Sequence, residues 1–351
     1  AISMASPCAR GLIHRAGVQS GPGLRFIERD AASAVTERLL AQVGLTSANA
    51  RDLATIPMEE LLAGYHAVSA AMPPKRFIDL PCFAPVIDPQ LLPAHPFSPK
   101  AAAQAAGIPV LVGCTAQGKR FFWGNDPDAS TLDDAAVKQR TEAFLGSDAD
   151  PVITRYRAAY PGVTPARLYL QLFSDYSLAL PVGAQADRHA AAGKAATYAY
   201  RLDYQRPALG GKLGALHTME SPFLFDTVES SRALLGPGDE PARLARQMSE
   251  AWVRFAATGN PNGGDLPDWP RYDAKARATM MQLETSASCR GESTAGIACA
   301  HALAPNGDLF NNIGHIATEY SPASVGFRAT SSYRHADEPR ATARPPCAVP
   351  W

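Results

Sequence analysis

The sequence lacks the features of a nucleic-acid-binding protein and of a membrane-spanning one. Its 33 basic and 33 acidic residues cancel, whereas a nucleic-acid binder needs a basic face to contact the phosphates. No apolar run is long enough to cross a bilayer. No secretion signal is visible, although this absence excludes little because the chain opens on Ala1 and not on Met. We therefore expect no nucleic-acid partner and no membrane span, and small neutral substrates remain open.

The chain also lacks paired cysteines. No Cys-x-x-Cys pair and no Cys/His cluster with zinc spacing occurs, so we expect neither a metal nor an organic cofactor. Scattered free thiols favour a reducing compartment such as the cytoplasm, without fixing the location. Cys114 follows an apolar run, which predicts a small buried residue and not a nucleophile. The six cysteines are Cys8, Cys82, Cys114, Cys289, Cys299 and Cys347.

Strand-like segments alternate with helical ones along most of the chain. A continuous apolar run over 108–113 lies between two glycines and predicts a strand buried on both faces. Three more strands are predicted at 16–20, 197–204 and 279–283. Helical spacing marks 29–43, 47–55, 58–70, much of 132–192, and 242–258. Strands separated by helices indicate an α/β domain with a mostly parallel sheet flanked by helices.

Local signals place several boundaries. Ser47 is a predicted N-cap, Thr164 followed by Pro165 predicts a helix start, and Gly259 should end the helix over 242–258. The segment 72–100 is rich in proline and is predicted to be an irregular crossing.

Pattern is lost after Gly291. This predicts a domain over 1–291 and a poorly ordered tail over 292–351. A translation out of frame would give the same impression, so the origin of the tail stays open.

Five stretches, in order, resemble the type-B carboxylesterase/lipase family, in particular its bacterial para-nitrobenzyl-esterase-like members. The resemblance covers roughly residues 1–285 and implies the C-terminal portion of an α/β-hydrolase fold, with the N-terminal strands missing. The stretches are MASPCARGLIHRAGVQSG from Met4, FAPVIDPQLLPAHPF from Phe83, IPVLVGCT from Ile108, YRLDYQRPALGGKLGALHTMESPFLFDT from Tyr200, and WVRFAATGNPNGGDLPDWPRYD from Trp252.

The resemblance implies a serine–acid–histidine triad in that chain order. His217 matches the catalytic base, in a glycine-rich loop after a strand, and its near-neutral pKa suits proton transfer. Glu220 is expected to be a structural partner in that loop. The remaining histidines are predicted to be structural or exposed. Phe223 and Phe225 are expected in the core, with an acyl pocket as the alternative.

The other two triad members are missing from the pattern. Gly118 stands where the resemblance implies the glutamate that orients the histidine, and Asp126 or Asp128 is a disfavoured substitute. No Gly-x-Ser-x-Gly elbow occurs, and the resemblance implies that it should precede Ala1. Ser293, in Gly-Glu-Ser-Thr-Ala-Gly, is rejected because it follows the histidine and no buried strand leads to it.

Three hypotheses account for this combination. The first is a serine carboxylesterase-like hydrolase of small carboxylic esters, acting through an acyl-serine, given as a fragment without its nucleophile elbow and expected to be inactive alone. The second is a non-catalytic esterase-like scaffold with a decayed triad, and the third is a damaged gene. The sequence fixes neither the ester nor the oligomeric state. An unpaired sheet edge would make the isolated chain prone to aggregation.

Overall fold

The computed structural model describes residues 1–21, 23–71, 83–125, 131–205, 214–273, 280–283 and 287–290. The predicted tail over 292–351 lies outside this set, together with Ser293, Asp126 and Asp128. Within the described ranges, no helix has the length and the apolar character that are required to cross a bilayer.

A five-stranded sheet forms the centre of the molecule. The strands stand in the order β1-β2-β3-β4-β5, with β1 to β4 parallel and β5 antiparallel to β4. They are β1 Ala16–Gln19, β2 Val110–Thr115, β3 Thr197–Leu202, β4 Met280–Leu283 and β5 Ala287–Arg290. The four predicted strands are confirmed. The sequence did not predict β5, because Ala-Ser-Cys-Arg has neither alternation nor β-branched residues.

Helices cover both faces of the sheet. On one face Tyr198, Tyr200 and Leu202 pack with residues of the long C-terminal helix, and on the other face Val110 and Val112 pack with the helix that precedes β3. All six residues of β2 and all six of β3 are buried, as expected for strands covered on both sides. The helices are α1 Ile2–Ala5, α2 Arg29–Gln42, α3 Met58–Ala71, α4 Asp134–Leu145, α5 Ala149–Ala159, α6 Pro165–Ser174, α7 Leu180–Ala192, α8 Glu220–Leu224, α9 Arg232–Leu235 and α10 Glu240–Thr258.

The predicted helix boundaries hold at two positions and fail at a third. The Thr164 side chain accepts a hydrogen bond from the Arg167 N–H at the start of α6, and Gly259 ends α10 with a left-handed φ of 80°. The segment Ser47–Thr55 is a 3₁₀ helix capped by Thr46 and not by Ser47. Thr46 and Asn49 form a reciprocal capping box there, which satisfies the backbone donors better than Ser47 alone.

One feature of the helical region was not anticipated. A π-helical turn, Asp175–Ala179, joins α6 to α7. A π turn adds about one residue to a helical turn, so it rotates the side chains that follow relative to those of α6. This turn lies against the end of β2 and positions residues beside the candidate site.

Candidate active site

His217 lies where the turn after β2 meets the loop after β3. The peptide N–H of His217 donates a hydrogen bond to the carbonyl oxygen of Gly118 over 3.3 Å. Next to it, Gln117 donates its N–H to the Ala215 carbonyl and accepts the Ala215 N–H on Oε1 at 2.9 Å. These three bonds hold His217 at the carboxyl ends of two parallel strands, the edge at which open α/β sheets bind ligands.

Position 118 adjoins the histidine, as the resemblance implies. A Cβ built on Gly118 would lie 3.8 Å from the His217 Cα. Glycine provides no carboxylate at this point. The Gln117 side chain does not take that role, because its oxygen accepts from Ala215 and its amide donates to Gln171.

The imidazole of His217 is half-buried, and its two nitrogens differ. Nδ1 is buried and has no hydrogen-bond partner among the described residues. Burial, followed by the positive charge of Lys119, lowers the pKa of His217. Both effects disfavour the imidazolium form, which a general base must adopt during proton transfer.

Lys119 is a buried cation next to the position of the missing acid. Its side chain lies almost entirely out of solvent, and desolvation lowers its pKa to about 7. The Nζ atom is 4.6 Å from the centre of the Phe122 ring, which lies 5.6 Å from the His217 ring. A lysine therefore contributes charge where the resemblance implies a carboxylate. The sequence gave no sign of this, because a lysine in a polar turn is ordinarily exposed.

Glu220 connects the histidine loop to β1 and β3. Its Oε1 accepts the Ser20 hydroxyl at 3.1 Å and the Tyr200 hydroxyl at 3.3 Å. The carboxylate is buried, which raises its pKa. Ser20 has a φ of 53°, an uncommon conformation for a residue other than glycine. These contacts agree with the expected structural role of Glu220, and the involvement of Ser20 was not foreseen.

A second buried polar group lies below the site. Asp175 accepts hydrogen bonds from the Tyr156 hydroxyl at 2.9 Å and from Gln171 at 3.1 Å, and burial raises its pKa to about 6. Arg201 and Asp203 form a buried ion pair with a shortest distance of 2.6 Å. The alternation over 197–204 predicted the strand but did not reveal that these charges are buried.

The other predicted side chains have structural surroundings. His189 is buried against the Thr197 hydroxyl and two backbone carbonyls, and His95 accepts the Phe26 N–H and pairs with Glu28. Phe223 lies in the core, as expected, whereas Phe225 is 71% exposed and was wrongly assigned to the core. Cys114 is buried, as predicted.

No metal-binding arrangement was found in the part of the chain that the structure describes, where no three His, Cys, Asp or Glu side chains group closely enough. The donor set around His217, a lysine and a phenylalanine, likewise offers nothing to a cation.

Comparison with known families gives a match to the model described as the carboxylesterase family, over residues 1–298. The chain is 28% identical over 281 residues to the para-nitrobenzyl esterase of Bacillus subtilis (strain 168), covering 79% of this chain and 54% of that protein. It is 29% identical over 283 residues to the phenmedipham hydrolase of Pseudarthrobacter oxydans, covering 78% and 55%. The chain thus spans about half the length of these curated relatives.

Solved structures give the same result. The carboxylesterase EST55 of Geobacillus stearothermophilus, at pH 6.2, superposes with a TM-score of 0.69 at 29% identity, covering 85% of this chain and 60% of that one. A thermophilic para-nitrobenzyl esterase superposes with a TM-score of 0.65 at 26% identity, covering 83% and 58%. These neighbours have the α/β-hydrolase fold, to which the parallel sheet with helices on both faces also belongs.

Proposed function

Because the chain belongs to the carboxylesterase family, we propose that it provides the histidine side of a serine carboxylesterase site for small carboxylic esters. The observation that carries this proposal is the position of His217, which is held by a backbone hydrogen bond to Gly118 at the carboxyl ends of β2 and β3. The names of the relatives, a para-nitrobenzyl esterase and a phenmedipham hydrolase, support ester hydrolysis as the reaction class.

His217 would act as the general base. Its Nδ1 is buried, which leaves Nε2 to take the proton from a serine hydroxyl while the serine oxygen attacks the ester carbonyl. The proton then passes to the leaving alcohol, and an acyl-serine remains. Water releases the acid by the same route in reverse, with the proton again received by His217. No cofactor is needed at any step.

The serine would come from sequence that the relatives have and this chain does not match. The resemblance places the nucleophile elbow and the oxyanion loop ahead of the segment that Ala1 begins, and the chain covers 54% of the para-nitrobenzyl esterase. We propose that residues 1–291 form the C-terminal part of one α/β-hydrolase domain, and that residues 292–351 are a tail outside it.

A non-catalytic scaffold is the second candidate, and Gly118 favours it. Without a carboxylate beside Nδ1, the imidazolium that forms in the transition state lacks its stabilising partner, which typically lowers kcat by about 10⁴. The positive charge of Lys119 acts in the same direction. Under this alternative the fold would bind an ester and turn it over no faster than water does.

Complementation tests the proposal. The full chain is co-expressed with the part of the Bacillus subtilis para-nitrobenzyl esterase that it does not match, and the purified complex is assayed with para-nitrophenyl acetate. We expect slow turnover with a burst of para-nitrophenol, lost in His217→Gln and kept in His14→Gln, a matched change at an exposed histidine. A folded complex without a burst, or a burst that survives His217→Gln, would favour the non-catalytic scaffold.

A further inference from the structure

Leu178 occupies the space that a side chain at position 118 would need. A Cβ on Gly118 would lie 2.4 Å from Leu178 Cδ1 and 2.9 Å from Thr115 Oγ1, closer than carbon atoms of a folded protein approach one another. The φ of Gly118 is not in the left-handed region, so the backbone would accept another residue. Glycine at this position therefore answers crowding by Leu178 and not a conformational demand.

The π turn between α6 and α7 holds Leu178 in place. Asp175, the first residue of the turn, is fixed by hydrogen bonds from Tyr156 and Gln171. The preceding residue, Ser174, accepts the Lys119 N–H on its hydroxyl oxygen at 3.3 Å. Leu178 itself is buried and belongs to the core on the α7 face of the sheet. The turn is thus tied to the acid-position loop, and Leu178 cannot move away without disturbing this packing.

Two polar atoms near this space lack partners among the described residues. They are Thr115 Oγ1 and His217 Nδ1, both buried. Thr115 Oγ1 lies 2.9 Å from the point where a Cβ would begin. Buried donors are normally satisfied, and each unsatisfied one costs about 1–3 kcal/mol. A leucine methyl group fills a space whose surroundings suit a carboxylate.

We propose that Leu178 is a positioning residue for His217, because it closes the acid position and leaves Nδ1 of the histidine without an acceptor. This inference deepens the proposed function, since it concerns the same histidine. Its consequence is that the acid cannot be restored by one substitution. Gly118→Glu alone meets Leu178, whereas Gly118→Glu combined with Leu178→Ala gives the carboxylate room to accept from Thr115 and His217.

A double-mutant cycle on the full chain tests the steric half. Gly118→Ala is introduced into the wild type and into Leu178→Ala, and thermal unfolding is followed by circular dichroism. We expect Tm to fall by roughly 5 °C in the wild-type background, because overpacking is destabilising, and to change little in the Leu178→Ala background. Gly107→Ala, where a Cβ meets nothing within 4 Å, is the matched control in both. An equal fall in both backgrounds overturns the proposal.

Titration of His217 by NMR tests the electrostatic half. His217→Gln identifies the resonance. In Gly118→Glu/Leu178→Ala we expect the pKa of His217 to rise by about 1–3 units, as a neighbouring carboxylate favours the charged form. Gly118→Gln/Leu178→Ala is isosteric and uncharged and should show no such rise. An equal rise, with unchanged Tm, in Gly118→Glu alone overturns the role of Leu178. Neither readout involves an ester, so an inactive complemented enzyme would count against the proposed function and not against this inference.

Discussion

Ser20 donates a hydrogen bond to Glu220 across 200 positions of sequence, with 3.1 Å between Oγ and Oε1. The Tyr200 hydroxyl donates to the same oxygen. The carboxylate thereby joins the residue that follows β1, a residue of β3, and the loop that carries His217. Through Glu220, the position of the histidine depends on the packing of the sheet and not only on its own loop.

Removal of this carboxylate should destabilise the fold. Glu220→Ala leaves two buried hydroxyls without their acceptor, so we expect the free energy of unfolding in urea to fall by about 2–3 kcal/mol. Glu220→Gln keeps an acceptor oxygen and should cost less. Glu250→Ala is the matched control, because Glu250 forms an exposed pair with Arg254 that is worth well under about 1 kcal/mol. Equal losses at Glu220 and Glu250 would contradict this role.

Lys119 should set the titration of the histidine. Its charge lowers the pKa of His217, so Lys119→Met should raise that pKa toward its ordinary value when His217 is titrated by NMR. Lys138→Met removes a lysine that pairs with Asp150 at the surface, and it should leave His217 unchanged. A shift of equal size in both variants would mean that the effect is not local.

The same lysine should make stability rise with pH above neutrality. Its pKa is about 7 in the folded chain against 10.5 in the unfolded one, so between these values the unfolded chain binds more protons. Stability then increases as pH rises through this window. We expect a higher urea midpoint at pH 9 than at pH 7, and a smaller increase in Lys119→Met. An unchanged increase in the variant would assign it to other groups.

The two classes of ion pair should differ sharply in their effect. Asp203→Ala leaves Arg201 buried without the carboxylate that now pairs with it, and loss of one partner of a buried pair costs about 3–5 kcal/mol of unfolding free energy. Asp150→Ala breaks the exposed pair with Lys138 and should cost about 0–1 kcal/mol. Chemical denaturation of both variants measures the difference, and similar values would show that solvent reaches Arg201.

Gly113 should tolerate no side chain. A Cβ there would lie 2.2 Å from the Tyr200 ring and 2.4 Å from the Tyr200 carbonyl oxygen, and the central strands cannot separate to make room. We expect Gly113→Ala to be insoluble when expressed. Gly107→Ala changes a glycine near the same strand, with open space around it, and should be expressed like the parent chain. A soluble Gly113→Ala with the parent Tm would contradict the packing of β2 on β3.

The sequence predicted those elements whose signals are local. The apolar run before Gly113 is continuous because β2 is buried on both faces, and Thr164-Pro165 and Gly259 mark helix ends by their own chemistry. The π turn has no such signal, since its residues continue a helical pattern. The burial of Lys119 and the position of Leu178 depend on contacts between segments far apart in sequence. His217 was identified from a resemblance and could not have been placed next to Gly118 from spacing alone.

The parallel pairing of β1 to β3 also bears on how fast the molecule can fold. Ala16 pairs with Val110, and Val110 with Thr197, so each contact closes a loop of roughly 90 residues. Chains dominated by such distant pairings fold slowly compared with those built from local contacts. The helices can form early, but His217 and Gly118 meet after both loops have closed. During refolding, helical circular dichroism should therefore recover well before the histidine reaches its native surroundings.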